Sequence, residues 1–152
     1  MLKLYLDTSV YGGYFDEEFE QATQTFFEKI RNKEFEILHS NLLERELIFA
    51  PQRIKDVYAS VPNSMPIIYD IKSVDLAKKY IEEGVVGNTS LRDCIHIAIA
   101  TIYEADFLIS WNFKHMVNID KIAGYNKVNQ KEGYKILEIR SPREFQYYDK
   151  RK

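Results

Sequence analysis

"SLRDCIHIAIATIYEADFLISWN", residues 90–112, decides the fold. Residues 91–104 have helical length and are apolar on nearly every side, and "ADFLISW" (105–111) then reads as a strand. The helix carries Asp93 near its start and His96 three residues later, and the strand runs directly into Asn112. Ser90-x-x-Asp93 has capping-box spacing, and an acid in the first turn suits the helix dipole. That accounts for Asp93 as a structural residue. Its face continues into Ile97 and Ala100, however, so the carboxylate borders the interior. His96 is read as a hydrogen-bonded packing residue.

Working outward, "LKLYLD" (2–7) reads as a strand with Leu2, Leu4 and Leu6 on one face. "YGGYF" (11–15) is expected to break the chain, and 16–33 has helical spacing with Phe19, Ala22, Phe26 and Ile30 on one stripe. "EFEILHS" (34–40) reads as a second strand, and 41–50 as a helix stopped by Pro51. Residues 52–61 and 73–84 follow as helices, with "PIIYDI" (66–71) either strand or connector. A helical or irregular stretch from 118 to 130 precedes a last strand, "YKILEIR" (134–140). Strands alternating with helices predict a three-layer α/β/α sandwich around a mostly parallel sheet. There is no internal repeat or linker, so residues 1–152 are read as a single domain.

Composition narrows the function classes. A formal charge of −2 gives no global basic field, which argues against, without excluding, a nucleic-acid partner. The one cysteine, Cys94, cannot form an intrachain disulfide, and a reducing, cytoplasmic setting is expected. The apolar stretch at the start is too short for a signal peptide, and no segment reaches membrane-spanning length. No zinc-spaced Cys/His cluster, phosphate-loop motif or nucleophile elbow is present.

In parallel sheets ligands bind beyond the carboxyl ends of the strands, so polar residues there matter most. Asp7 ends the first strand; alone it reads as a cap or turn residue. Asn41 and Glu44 have capping-box spacing, whereas Glu46 falls on an apolar arc with Leu42, Leu43, Phe49 and Ala50. A core-facing carboxylate is expensive unless paired or bound to metal, and Lys3, Arg92 and Lys114 are the candidate partners. Asn112 mirrors Asp7, with Lys114 and His115 close behind. Clustered carboxylates repel, and hard oxygen ligands suit Mg²⁺ or Mn²⁺.

"LYLDTSV", "HSNLLERELIFAP", "LRDCIHIAIATIYEADFLISWNFKHMVN" and the closing "ILEIRSPREF" together resemble the PIN domain, in particular small single-domain proteins similar to VapC toxins. The resemblance spans nearly the whole chain and implies a metal-dependent endoribonuclease. It implies that Asp7, Glu46 and Asp93 bind Mg²⁺ or Mn²⁺, with Asn112 at a position usually held by a fourth Asp. Ser9 matches the family's small hydroxyl residue near the first Asp. Among substrate contacts, Lys114 and Arg92 are expected to receive the RNA backbone, and Tyr11 or Tyr14 to stack on an unpaired base. A small antitoxin partner and a homodimer are implied by resemblance alone. A binding module that holds RNA or protein without cutting is the competing expectation, favoured by Asn112.

Overall fold

The computed structural model describes residues 1–32 and 34–150; Lys33, the end of one expected helix, and residues 151–152 lie outside the described residues. Among the described residues, strands β1 (Leu2–Leu6), β2 (Phe35–Ser40), β3 (Ser64–Ile67), β4 (Phe107–Ile109) and β5 (Glu138–Arg140) form one sheet in the order β3-β2-β1-β4-β5. Every neighbouring pair is parallel. Parallel pairing requires each connection to cross a face of the sheet, and helices do so. Helices α1 (Thr8–Gly13) and α2 (Glu20–Arg31) link β1 to β2, and α3 (Asn41–Leu47) and α4 (Gln52–Ala59) link β2 to β3. Helices α5 (Ile71–Glu82) and α6 (Leu91–Ile102) precede β4, α7 (Ile119–Lys131) precedes β5, and α8 (Pro142–Lys150) follows it.

The period-2 geometry of strands sorts the core into two layers. Leu4, Leu6, Phe107 and Ile109 face one side, where they meet Val10, Phe26, Phe27, Ile30 and Phe145. Tyr5, Leu38, Leu108 and Ile139 face the other, against Leu76, Tyr80, Ile97 and Tyr125. The sheet is therefore covered on both sides, as the expected three-layer sandwich requires. Helix α6 is buried from Cys94 through Thr101, which is what its all-round apolar composition demands. Among the described residues no helix is long and apolar enough to cross a membrane.

Several local expectations are corrected. The break expected at "YGGYF" falls at its middle: α1 runs through Gly12, ends at Gly13 and is capped by Tyr14. Gly13 is needed for close approach: a Cβ there would lie 2.7 Å from Trp111 Nε1 and 2.9 Å from Thr23 Oγ1. Ser40, not Asn41, caps α3, its Oγ accepting from the Leu43 N–H, while Asn41 Oδ1 accepts from the Tyr69 N–H. That helix ends at Leu47 rather than residue 50, so Phe49 is 94% exposed instead of completing an apolar arc. Residues 66–71 resolve into the end of β3 and the Asp70 cap of α5. Strands β4 and β5 are shorter than expected.

The largest departure is α8, since the sequence reading ends on the last strand and places no helix after it. Its start has a reciprocal cap: the Glu144 N–H donates to Ser141 Oγ and the Ser141 N–H donates to Glu144 Oε1. Pro142 occupies the first helical position, where its missing N–H costs nothing. The helix buries Phe145 completely, with its ring edge-on to Phe26, Phe35 and Phe107. Phe145→Ala should therefore cost about 3–5 kcal/mol, the range for deleting a fully buried aromatic ring. Urea unfolding of the variant beside wild type measures it, and a loss below about 1 kcal/mol would mean α8 is peripheral to the core.

Candidate active site at the carboxyl edge of the sheet

The chain leaves β1 toward β2 on one side, while β4 and β5 build on the other, so the carboxyl edge between β1 and β4 is the switch point of the sheet. The Asp7 N–H donates to the Ile109 carbonyl at 3.1 Å, carrying the β1–β4 pairing one residue past the strand ends. Asp7 then caps α1. Its Oδ1 accepts from the Ser9 N–H at 3.1 Å and from Ser9 Oγ at 2.5 Å, and its Oδ2 accepts from Ser110 Oγ at 2.9 Å.

The loop after β4 is laced to the same group. Ser9 Oγ accepts from the Trp111 N–H, and Ser110 Oγ accepts from the Asn112 N–H, both at 2.9 Å. The Asn112 carboxamide bridges onward: Oδ1 accepts from the His115 N–H, and Nδ2 donates to Asp93 Oδ2 at 3.3 Å. Asp93 sits in the first turn of α6. Ser90 does not close the expected capping box; it makes no side-chain cap and instead bonds His115 Nδ1 at 2.8 Å. Asp93 is thus released from that reciprocal pairing.

Glu46 reaches the same edge from the last turn of α3, but not by pointing into the core. Its Oε1 accepts from Thr8 Oγ1 and from His96 Nε2, the latter at 2.8 Å, and its Oε2 lies 3.6 Å from Arg92 Nε. Of the three basic partners expected, Arg92 is the one found. His96 is 2% exposed and its Nδ1 lies 2.6 Å from the Tyr5 hydroxyl.

The two carboxylates have opposite environments. Burial pushes the Asp7 carboxyl above its ordinary range; hydrogen bonds from Ser9 and Ser110 and the charge of His96 oppose this, and the Asp93 charge adds to it. Burial also pushes Glu46 up, but the His96 hydrogen bond and charge, Thr8 and Arg92 outweigh it and hold the carboxyl below its ordinary range. Among the described residues, no Lys or Arg forms a salt bridge with Asp7.

Asp7, Glu46, Asp93 and Asn112 therefore share one edge, although they come from four separate segments. Among the described residues no three Asp, Glu, His or Cys side chains are grouped as ligands of a single ion, and Glu46 is engaged by His96 and Arg92. The oxygen-only donors Asp7, Asp93 and Asn112 still fit a hard divalent cation, which takes one or two carboxylates and keeps several waters. Among the described residues, a buried carboxylate that no Lys or Arg pairs with is the observation that favours such an ion.

The base-stacking role expected of Tyr11 is corrected, while Tyr14 is half-buried. Tyr11 is fully buried against Phe27 and Tyr58, with its hydroxyl 3.3 Å from His39 Nε2, and cannot meet a substrate. Tyr14 packs on Phe15 and Phe27. Ser9 supports Asp7, while Arg92 and Lys114 are exposed beside the site. The sequence reading missed Thr8, Ser110 and Tyr5 as partners. The hydroxyl at the end of β4 was a usable signal for Ser110, whereas nothing in the spacing pairs Tyr5 with His96.

No protein-family model and no curated protein matches the chain. A solved structure does match: a chain of VapBC2 from Rickettsia felis, crystallised bound to a DNA fragment from their promoter. It is 15% identical, covers 91% of this chain and 98% of that one, and superposes with a TM-score of 0.54. The likeness is one of fold, which in this chain is a five-stranded parallel sheet flanked by helices.

A carboxyl whose folded value is raised binds protons preferentially in the native state, so it costs stability as pH rises from its unfolded value through the folded one. Asp7→Asn keeps the acceptor for Ser9 and removes the buried charge. Without added metal, it should melt higher than wild type at neutral pH, with the gap closing as pH falls to about 4, the ordinary aspartate value. Thermal melts across pH measure this; a variant that melts lower throughout would show that the ionised group is well compensated.

Proposed function

We propose that this chain is a metal-dependent endoribonuclease, the toxin of a type II toxin–antitoxin pair, acting in the cytoplasm. The convergence of Asp7, Glu46, Asp93 and Asn112 on the switch-point edge carries the reading. Asp7 and Asp93 would hold Mg²⁺ or Mn²⁺, with the Asn112 amide oxygen as a neutral donor. When bound, the ion lowers the pKa of a water and neutralises charge developing on the phosphate. Ser9 and Ser110 fix the Asp7 carboxylate through both oxygens, so it presents the same geometry to each substrate. Glu46 stays ionised beside them and is the candidate acceptor for the proton of the attacking water. Arg92 and Lys114, exposed on either side, supply contacts to the RNA backbone.

The solved neighbour is a VapBC2 complex, which supports a small antitoxin as partner here. Self-association into a homodimer belongs to the same proposal. A second reading, a module that binds RNA or protein without cutting, is favoured by Asn112. Its amide is spent as a donor to Asp93 and contributes no charge.

Cleavage of RNA by purified protein, with Mn²⁺ or with chelator, separates the two. Cutting should require the metal and fall at least about a hundredfold in Asp7→Asn and Asp93→Asn, at or beyond the upper end for losing a supporting group. Asn112→Asp should raise the rate at limiting Mn²⁺ by roughly tenfold. Binding without cleavage would instead establish the module, and equal cutting by every variant would trace the activity to a contaminant.

A further inference from the structure

A single run of hydrogen bonds connects the start of α3 to Glu46. The Leu43 N–H donates to Ser40 Oγ at 3.1 Å, and Ser40 Oγ lies 2.7 Å from the Tyr5 hydroxyl. The same hydroxyl is 2.6 Å from His96 Nδ1, and His96 Nε2 is 2.8 Å from Glu46 Oε1. Ser40, Tyr5 and His96 are all buried, so each donor and acceptor must be satisfied within the chain.

Counting protons orients the run. Ser40 Oγ already accepts from the backbone, and its own proton is free for the Tyr5 oxygen. The Tyr5 hydroxyl has one proton to give, and with Ser40 donating to its oxygen, His96 Nδ1 accepts it. The neutral ring then carries its proton on Nε2, where it donates to Glu46. An imidazolium reverses the Tyr5 end of the run and leaves Nε2–H in place. The one state excluded is a ring protonated at Nδ1 alone, which would set a bare Nε2 lone pair 2.8 Å from a carboxylate oxygen.

We infer that Tyr5 and His96 are positioning residues that hold the Glu46 carboxylate outside the Asp7–Asp93 ligand set and turn it toward the substrate. The inference gives Glu46 its place within the nuclease reading and rests on that reading for its catalytic meaning. Two further observations support it. Thr8 shares Glu46 Oε1 with His96 and Arg92 lies against Oε2, leaving neither carboxylate oxygen without a partner. Glu46 also borders a cavity of about 450 Å³ between α3 and α6, lined by Arg45, Tyr69 and Arg92 with apolar residues beneath. That space matches a nucleotide-sized ligand, and its arginines suit a phosphate. Glu46 stands between this cavity and the Asp7 edge, where an attacking water and the scissile phosphate would meet.

The test begins with ¹⁵N-histidine NMR of metal-free wild type, which reports which ring nitrogen of His96 bears the proton. A protonated Nε2 is expected in wild type and retained in Tyr5→Phe, while Glu46→Gln, which removes the carboxylate facing that nitrogen, should let the second tautomer appear. A wild-type ring protonated at Nδ1 alone overturns the inference, and this holds even should a variant fail to fold. Mn²⁺ titration supplies the second arm. Glu46→Gln should bind within about threefold of wild type, while Asp7→Asn and Asp93→Asn weaken binding by at least about tenfold. Equal weakening in Glu46→Gln would make Glu46 a ligand and sink the idea. In cleavage assays, Tyr5→Phe should lower kcat and leave KM unchanged. Absence of cleavage in all proteins, with the tautomer and Mn²⁺ pattern as expected, would defeat the nuclease reading and leave the positioning role standing.

Discussion

The parallel seam between β1 and β4 is the constraint on which the site depends. Register pairs Leu6 with Ile109, so the next residues, Asp7 and Ser110, emerge side by side at the carboxyl edge. From there a carboxylate can be tied by Ser9 on its own loop and by Ser110 on the neighbouring one. The seam is held by residues buried on both faces of the sheet, among them Leu4, Tyr5, Leu6, Leu108 and Ile109. A shift of one residue in β1 would exchange the Leu4–Leu6 face with Tyr5, destroying both core layers and the site together. Fold and candidate chemistry are therefore specified by the same register.

How far this could be read from the sequence differs by residue, for physical reasons. Asp7 was legible because it directly follows an apolar strand, and the geometry of parallel sheets puts such a position at the edge. Asn112 was legible because β4 was read as running to residue 111; the register makes Ser110 the mirror of Asp7, with Asn112 two residues on. Asp93 was legible from its place at the head of an apolar helix. Glu46 was selected on an incorrect picture: α3 ends before Phe49, so the apolar arc that seemed to surround it does not exist. It nonetheless reaches the edge, because Ser40 starts α3 where β2 ends and two turns carry the chain beside Thr8.

What the sequence hid were pairings between distant segments. Ser90 has the spacing of a cap yet bonds His115, and Ser141 with Glu144 makes the reciprocal cap that local spacing equally permits. Both are Ser-x-x-acid patterns; tertiary partners decide which one closes. Tyr11 lies one turn from Asp7, and the helical turn that α1 makes through the two glycines swings its ring into the core. His96 was read as a packing residue, and it is buried, but its ring joins Tyr5 on β1 to Glu46 on α3, which no local pattern encodes.

Charge balance links these details. Under the proposed reading, Asp7 and Asp93 bring two negative charges to the edge, and Asn112 brings none where the PIN-like pattern has an acid. Glu46 adds a third, but its charge is met locally by Arg92 and by hydrogen bonds from Thr8 and His96. The uncompensated charge is then that of Asp7 and Asp93, which one divalent ion neutralises. A second ion would need another carboxylate; among the described residues Glu46 is the one bonded to this edge, and its oxygens are already committed. If that reading holds, the neutral residue at 112 and the buried His96 act in the same direction: each would take one acid out of the ligand set, and together they would fit the edge to a single cation.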